Sequence, residues 1–471
     1  MVRTTRPCWY DGQKRPIEPG GLIKSGGAGS VYHLAGGRVV KIYHDTIDKA
    51  YYQRKIAAML TLTPHLPPVP GKHDLIQLAW PVSSLLDKKQ RFAGFIMPEL
   101  DVKASIELEY ILQERQARAH GLPVGLGAKV SLAANLCTLV TALHQQRHRI
   151  IDLKPINLRF YKESLHVAML DCDGFSIQGH KERFPANQFT SDYLAPEFQA
   201  SGRIPEDGEE YQDRFALAVI LFQLLNFGIH PYSGRLVKDD LPTDLPGRIR
   251  HRLYAYGLKP HRFIEPSPVS GHQSMPQAIR ELFDLAFAAA AHERPSAQVW
   301  VQCLRPYALR SNDLLKVCAK DPEHQHFAGH PCAACARTAL LTRTAQAQKT
   351  TQRQQKKRKR VAAAQPVVRA AVVRPPPAPV PAGPPSHWRM GFYGLLSVAA
   401  PVIFALLTAM LSQQLSQDLG NFNAMIAGFI ASDYFEQMTS GMIGLISVLI
   451  VFIMIVMLVV LPFNVIRRSG P

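Results

Sequence analysis

The sequence predicts an α+β fold of two lobes, a small antiparallel sheet followed by a mainly helical part, and three observations predict it. Short alternating segments separated by glycine turns occupy the first hundred residues, apolar runs of helical period follow, and the composition then changes altogether. A chain of 471 residues has room for two or three structural units. Its formal charge is +18, but between Arg337 and Met390 there are twelve Lys or Arg and no Asp or Glu. The basic excess is therefore mostly local.

The strand region opens after a polar start, Met1 to Asp11, in which no secretory leader is expected. "GLIKSGGAGSVYHLAGGRVVKIYH" alternates β-branched or aromatic residues with glycine turns, as a twisted antiparallel sheet would. Gly26 and Gly29 lie in a turn whose backbone N–H groups can approach a phosphate, because no side chain intervenes. Lys41 sits in the apolar strand "VVKIY", where burial of an ammonium is costly unless an anion answers it. "FAGFIMPEL" reads as a last apolar strand that stops at Pro98, a connector between lobes.

Helices come next. "AKVSLAANLCTLVTALHQQ" and "DRFALAVILFQLLNFG" repeat apolar residues at spacings of three and four. After the first of them, "RIIDLKPINL" holds Asp152, Lys154 and Asn157, and "MLDCDGF" then ends an apolar strand in Asp171 and Asp173. Asn157 and Asp171 on adjacent hairpin arms make a hard oxygen site suited to Mg²⁺. Asp152 is placed to accept a hydroxyl proton and Lys154 to neutralise charge on a transferring phosphoryl group.

From about residue 18 to 306 these segments, in this order and spacing, resemble a eukaryotic-type (Hanks-type) Ser/Thr protein kinase. "SGGAGSV" matches the Gly-rich loop, "VVK" the strand lysine, "DLKPIN" the catalytic loop, "DCD" the metal-binding turn and "YLAPE" the segment ending in Glu197; Asp213 and "HERPS" with Arg294 follow. The resemblance implies ATP held by Gly26, Gly29, Val31, Lys41 and Met97, Mg²⁺ on Asn157 and Asp171, and catalysis by Asp152 and Lys154. It also implies a Glu197–Arg294 pair that props a platform for protein substrates. Departures from the family are specific. Ile150 and Ile151 replace its His and Arg, which removes the partner of an activation-loop phosphate. Lys24 replaces the first loop glycine. The helix "KAYYQRKIAAML" lacks the acid that should pair Lys41, leaving Gln53 or Asp48 as stand-ins. Asp173 occupies a glycine position, as a second metal contact or a solvated turn. The alternative function is a weak or inactive pseudokinase scaffold that binds nucleotide and partners.

The remaining chain divides by composition. Residues 1–17 are an extension and 307–336 a knuckle, in which Cys318, Cys332 and Cys335 with a histidine can ligate one structural Zn²⁺. His326 is the chosen fourth ligand, beside the anchoring Phe327; His324 and His330 are the other candidates. Residues 337–390 read as a disordered basic and Pro-rich linker. Segments 391–411 and 441–465 carry no charge and are long enough to cross a bilayer. The intervening 412–440 has acids but no Lys or Arg, while Arg389, Arg467 and Arg468 flank the spans, so a hairpin anchor with the kinase-like domain and the tail 466–471 in the cytoplasm is expected, in a bacterial inner membrane. "KKRKR" close to a span suits anionic lipid better than nucleic acid. Bacterial membrane kinases with such an appendage are associated with a PP2C-type phosphatase and a von Willebrand A protein, which the resemblance implies as partners.

Overall fold

The computed structural model describes residues 9–71 and 75–364, so both expected membrane spans lie outside the described residues. The first lobe is a seven-stranded antiparallel sheet: β1 (Trp9–Asp11), β2 (Pro16–Ile17), β3 (Leu22–Ser25), β4 (Gly29–Leu34), β5 (Arg38–Tyr43), β6 (Ser83–Leu86) and β7 (Phe92–Pro98), in the order β2-β1-β6-β7-β5-β4-β3. The central strands are apolar on both faces. Val40, Leu85, Ala93 and Ile96 form a small core on one side, while Val39, Tyr43, Phe95 and Met97 face α1 (Lys49–Thr61) on the other. Asp48 caps α1, accepting from Tyr51 N at 3.0 Å, and the helix buries Tyr52, Lys55, Ile56 and Met59 at helical spacing. Residues 9–17, expected to precede the domain, extend its sheet instead: β1 pairs with β6, and Trp9 and Ile17 pack on the small core.

Beyond the connector lie β8 (Ser105–Glu107), α2 (Glu109–Leu112), α3 (Glu114–Ala119) and α4 (Leu126–Gln145). Among the described residues α4 alone is long and apolar enough to span a membrane. It serves as the core of the second lobe, packed by α5 (Glu209–Leu225) and α8 (Ala297–Ala308), with Leu132, Leu136, Leu139 and Leu143 buried. Each such leucine contributes roughly 1.5–3 kcal/mol by leaving water. The hairpin β9 (Leu158–Tyr161) and β10 (Val167–Met169) joins β8 in a three-stranded sheet, and short pairs β11 (Ile177–Gln178) with β12 (Arg183–Phe184) and β13 (Gly234–Leu236) with β14 (Ile264–Pro266) tie down the later loops. Helices α6 (Leu245–Arg250) and α7 (Gln277–Phe287) complete this lobe. A curled antiparallel sheet joined to a helical body fits a two-lobed, kinase-like fold.

The knuckle is docked rather than loose. β15 (Leu315–Val317) pairs with β16 (Gln325–Phe327), buried Phe327 meets Tyr307 edge-on at 5.2 Å, and Gly127 N donates to Gln325 Oε1 at 2.7 Å. Immediately afterwards α9 (Ala333–Ala364) replaces the first part of the expected disordered linker. The reason is propensity: this stretch is rich in Ala, Gln, Lys and Arg, and the first proline comes only at Pro366. The rest of the linker lies outside the described residues.

Candidate active site

Strand register collects the first half of the site. Val31 pairs with Lys41, Lys41 with Phe95 and Val39 with Met97, so directly opposed side chains put Val31, Lys41 and Met97 on one face of the sheet. Two glycines permit this closeness. A Cβ at Gly29 would come 2.4 Å from Ile42 O, and one at Gly94 would come 1.9 Å from Lys41 O. Gly26 closes the β3–β4 turn, its N–H donating to Gly29 O at 2.9 Å.

Lys41 is almost wholly buried, and its anion is Asp173. Nζ lies 2.9 Å from both carboxylate oxygens of Asp173 and 3.4 Å from Asp171 Oδ1, and Tyr43 OH donates to Asp173 Oδ2 at 2.9 Å. Burial opposes the charge on Lys41, but the two carboxylates outweigh it and hold the ammonium well above its ordinary range. Neither expected stand-in has this role: Asp48 caps α1 and Gln53 is exposed. Asp173 is correspondingly a buried, hydrogen-bonded acid and not a solvated turn. Asp171 adopts a left-handed backbone (φ 51°) before a single 3-10 turn, Cys172–Gly174, which leaves Asp171 58 % exposed and sends Asp173 inward. Helix α1 adds a second buried cation, Lys55, beside the Tyr51 and Tyr52 rings. Burial pushes Lys55 down to about 8, with Asp173 working against the shift and Lys41 adding to it.

The residues of the loop from Asp152 to Asn157 converge as well. Asp152 Oδ1 accepts from Thr190 Oγ1 at 2.7 Å, Lys154 Nζ donates to that same hydroxyl at 2.8 Å, and Lys154 lies 2.8 Å from Asp152 Oδ2. Asn157 Nδ2 donates to Asp152 O at 3.0 Å. Leu158 pairs with Met169, and Asn157 O accepts from Leu170 N at 2.9 Å, which brings Asn157 beside the start of the Asp171 turn on neighbouring hairpin arms. Ile150 and Ile151 are buried, as an apolar seat requires, but Ile151 has φ 66°, a strained value for a β-branched residue. Fully buried Asp213 holds that backbone, accepting from Ile150 N and Ile151 N at 2.7 Å each, while His144 Nε2 lies 2.9 Å from its Oδ2.

Glu197 and Arg294 form the expected pair, with Nη2 donating to Oε2 at 2.7 Å. Burial raises the Glu197 carboxyl, and the guanidinium outweighs it and leaves it below the ordinary range. Ala195 N, two residues before Glu197, also donates to Gln212 Oε1 at 2.8 Å, so this segment is fixed to α5.

In the knuckle, Cys318, Cys332 and Cys335 bring their sulfurs within 4.8 Å of one another. The histidine beside them is His324, whose Nδ1 is 3.4 Å from Cys335 Sγ, and not His326. The correction follows from strand geometry. His324 sits in the turn, its carbonyl accepting from Cys318 N, whereas His326 is two residues along β16, opposite Lys316, with Nδ1 on Phe327 O at 3.0 Å. The N–H groups of Lys320 and Asp321 pull the Cys318 thiol below its ordinary value, while burial and the neighbouring sulfurs push Cys335 up, so Cys318 favours the thiolate more readily than Cys335. Three sulfurs and one imidazole fit a structural Zn²⁺.

The chain is 29% identical over 342 residues to "Protein kinase YegI" of Escherichia coli O157:H7, across 70% of this chain and 50% of that protein. The same-named protein of Escherichia coli strain K12 is 29% identical over 291 residues, across 60% of this chain and 43% of the relative. These similarities support a protein-kinase family. The chain spans about half the length of the curated relatives it matches. No protein-family model matches it.

Proposed function

We propose that the chain is a membrane-anchored protein kinase that transfers the γ-phosphate of ATP to Ser or Thr hydroxyls of protein substrates in signalling. The observation that carries this reading is the arrangement at Asp152, where a carboxylate and the Lys154 ammonium already share one hydroxyl, that of Thr190. A substrate hydroxyl taking Thr190's place would give its proton to Asp152 as it attacks, with Lys154 offsetting charge on the phosphoryl oxygens. Lys41, held by Asp173, would meet the ATP phosphates beneath the Gly26–Gly29 turn, and Val31 and Met97 offer apolar contact for the base. Asn157 and Asp171 are oxygen donors of the kind Mg²⁺ takes and would hold such an ion, which would supply charge neutralisation for the phosphates. The Glu197–Arg294 pair stiffens the segment after Thr190, which suits a protein acceptor. Zinc on Cys318, His324, Cys332 and Cys335 would staple the knuckle, and segments 391–411 and 441–465 would anchor the chain with this site in the cytoplasm.

One observation favours a second reading, a nucleotide-binding scaffold: α1 buries a second lysine, Lys55, within electrostatic reach of Lys41 and Asp173. Binding and transfer separate the two. Full-length protein should bind ATP with Mg²⁺, and Lys41→Met should weaken that binding about tenfold or more. Equal binding by wild type and Lys41→Met would reject the cleft, whereas tight binding with no transfer to any protein would favour the scaffold.

A further inference from the structure

At the far end of α4 from the Asp152 loop, roughly 30 Å along a helix of 20 residues, lies a cavity of about 50 Å³ between the second lobe and the knuckle. Its walls include Leu126, Leu224, Met275 and Phe327. Lys129, only 5% exposed, also lines it. Among the described residues its ammonium has no hydrogen-bond or ion-pair partner, and what it faces is the Phe227 ring, 6.0 Å away. Glu114 lines the cavity too, but its carboxylate is taken by Arg118 at 2.9 Å.

Two physical costs meet at Lys129. Burial penalises an unpaired ammonium, and the residue stands in the first turn of α4, where the helix dipole is already positive. Gly127 N–H in the same turn is satisfied by Gln325, whereas the lysine has only a longer-range attraction to Glu114, opposed by Arg337, and no hydrogen-bonded partner. Both costs vanish if an anion enters. At about 50 Å³ the cavity takes only a small ligand, and apart from the lysine end, Glu114 and the polar Ser274, His324, Gln325 and His326 its walls are apolar. We infer that this cavity is a binding site for a small monocarboxylate with a short apolar chain, its carboxylate on Lys129 and its chain against Leu224 and Phe327. The site is independent of the phosphotransfer reading, and it bridges the knuckle and the lobe, so occupancy should also tighten knuckle docking.

The test uses full-length protein in non-ionic detergent and an isosteric pair of probes, butyrate and butyramide, followed by ligand-observed NMR and by proteolysis of residues 315–335. Butyrate should bind about tenfold or more tightly than butyramide and slow cleavage, and Lys129→Met should abolish the difference. Because the acid–amide comparison is made on wild-type protein, it stands even if the variant folds poorly. Equal affinity for acid and amide, or undiminished butyrate binding by folded Lys129→Met, would overturn the site. Inorganic phosphate binding as well as butyrate would overturn the carboxylate assignment. An acetyl-Ala-Leu peptide with a free carboxylate binding more than tenfold tighter than butyrate would replace the small acid by a protein C-terminus.

Discussion

Replacing Asp173 by Asn isolates the device that substitutes for the missing helix acid. In the wild type Lys41 Nζ has two contacts of 2.9 Å to the Asp173 carboxylate and one of 3.4 Å to the more exposed Asp171, and Tyr43 adds its hydroxyl to the same acid. Removing one member of a buried pair costs about 3–5 kcal/mol, because the surviving charge stays buried. The lower end applies here, since Asp171 remains and the Asn carbonyl can still accept one hydrogen bond. A loss of about 3 kcal/mol corresponds to a fall of roughly 6–12 °C in Tm at a few degrees per kcal/mol. Urea denaturation of Asp173→Asn, Asp173→Leu, Lys41→Met and a Lys41→Met/Asp173→Leu double variant reads this directly, the last three closing a double-mutant cycle. The double variant should be much closer to wild type than the sum of the singles, because no orphaned charge is left. Additive losses, or an Asp173→Asn protein within about 0.5 kcal/mol of wild type, would refute the pairing as a stabilising contact.

Lys55 should make stability depend on pH. Its folded-state value of about 8 lies below its ordinary 10.5, so below pH 8 both states are protonated and the burial penalty, about 3 kcal/mol, is fully felt. Between pH 8 and 10.5 the unfolded chain holds more protons and stability should rise, a rise that Lys55→Met should diminish in chemical denaturation; an unchanged slope would contradict the burial. Glu197→Gln should cost about 3 kcal/mol by urea titration, since Arg294 stays buried beside it. Purified protein should carry about one zinc per chain by elemental analysis, with Cys332→Ser and His324→Ala lowering it and His326→Ala leaving it unchanged. Loss of zinc in His326→Ala alone would reverse the ligand assignment.

Much of this site was legible because its chemistry sits in short runs. Asp152, Lys154, Asn157 and Asp171 are close in sequence, and one hairpin is enough to assemble them. The sheet likewise follows from alternation and glycine turns. What escaped depends on backbone direction. Asp173 is visible as an extra acid in "DCD", but its inward aim comes from the left-handed Asp171 and the 3-10 turn after it, which composition does not encode. Thr190 lies 38 residues from Asp152 and has no local pattern to single it out. His324 and His326 differ by one strand repeat, so only the turn decides which meets the cysteines. The basic segment before Pro366 misled for a different reason: its charge reads as linker, while its Ala, Gln, Lys and Arg content favours helix.

Phosphate transfer tests the central claim most directly. Full-length protein, incubated with labelled ATP and Mg²⁺ and then subjected to phosphoamino-acid analysis of itself and of added protein substrates, should yield phosphoserine or phosphothreonine. Asp152→Asn should lower that yield about 10²-fold or more while ATP binding persists. Transfer by Asp152→Asn at the wild-type rate would contradict the account.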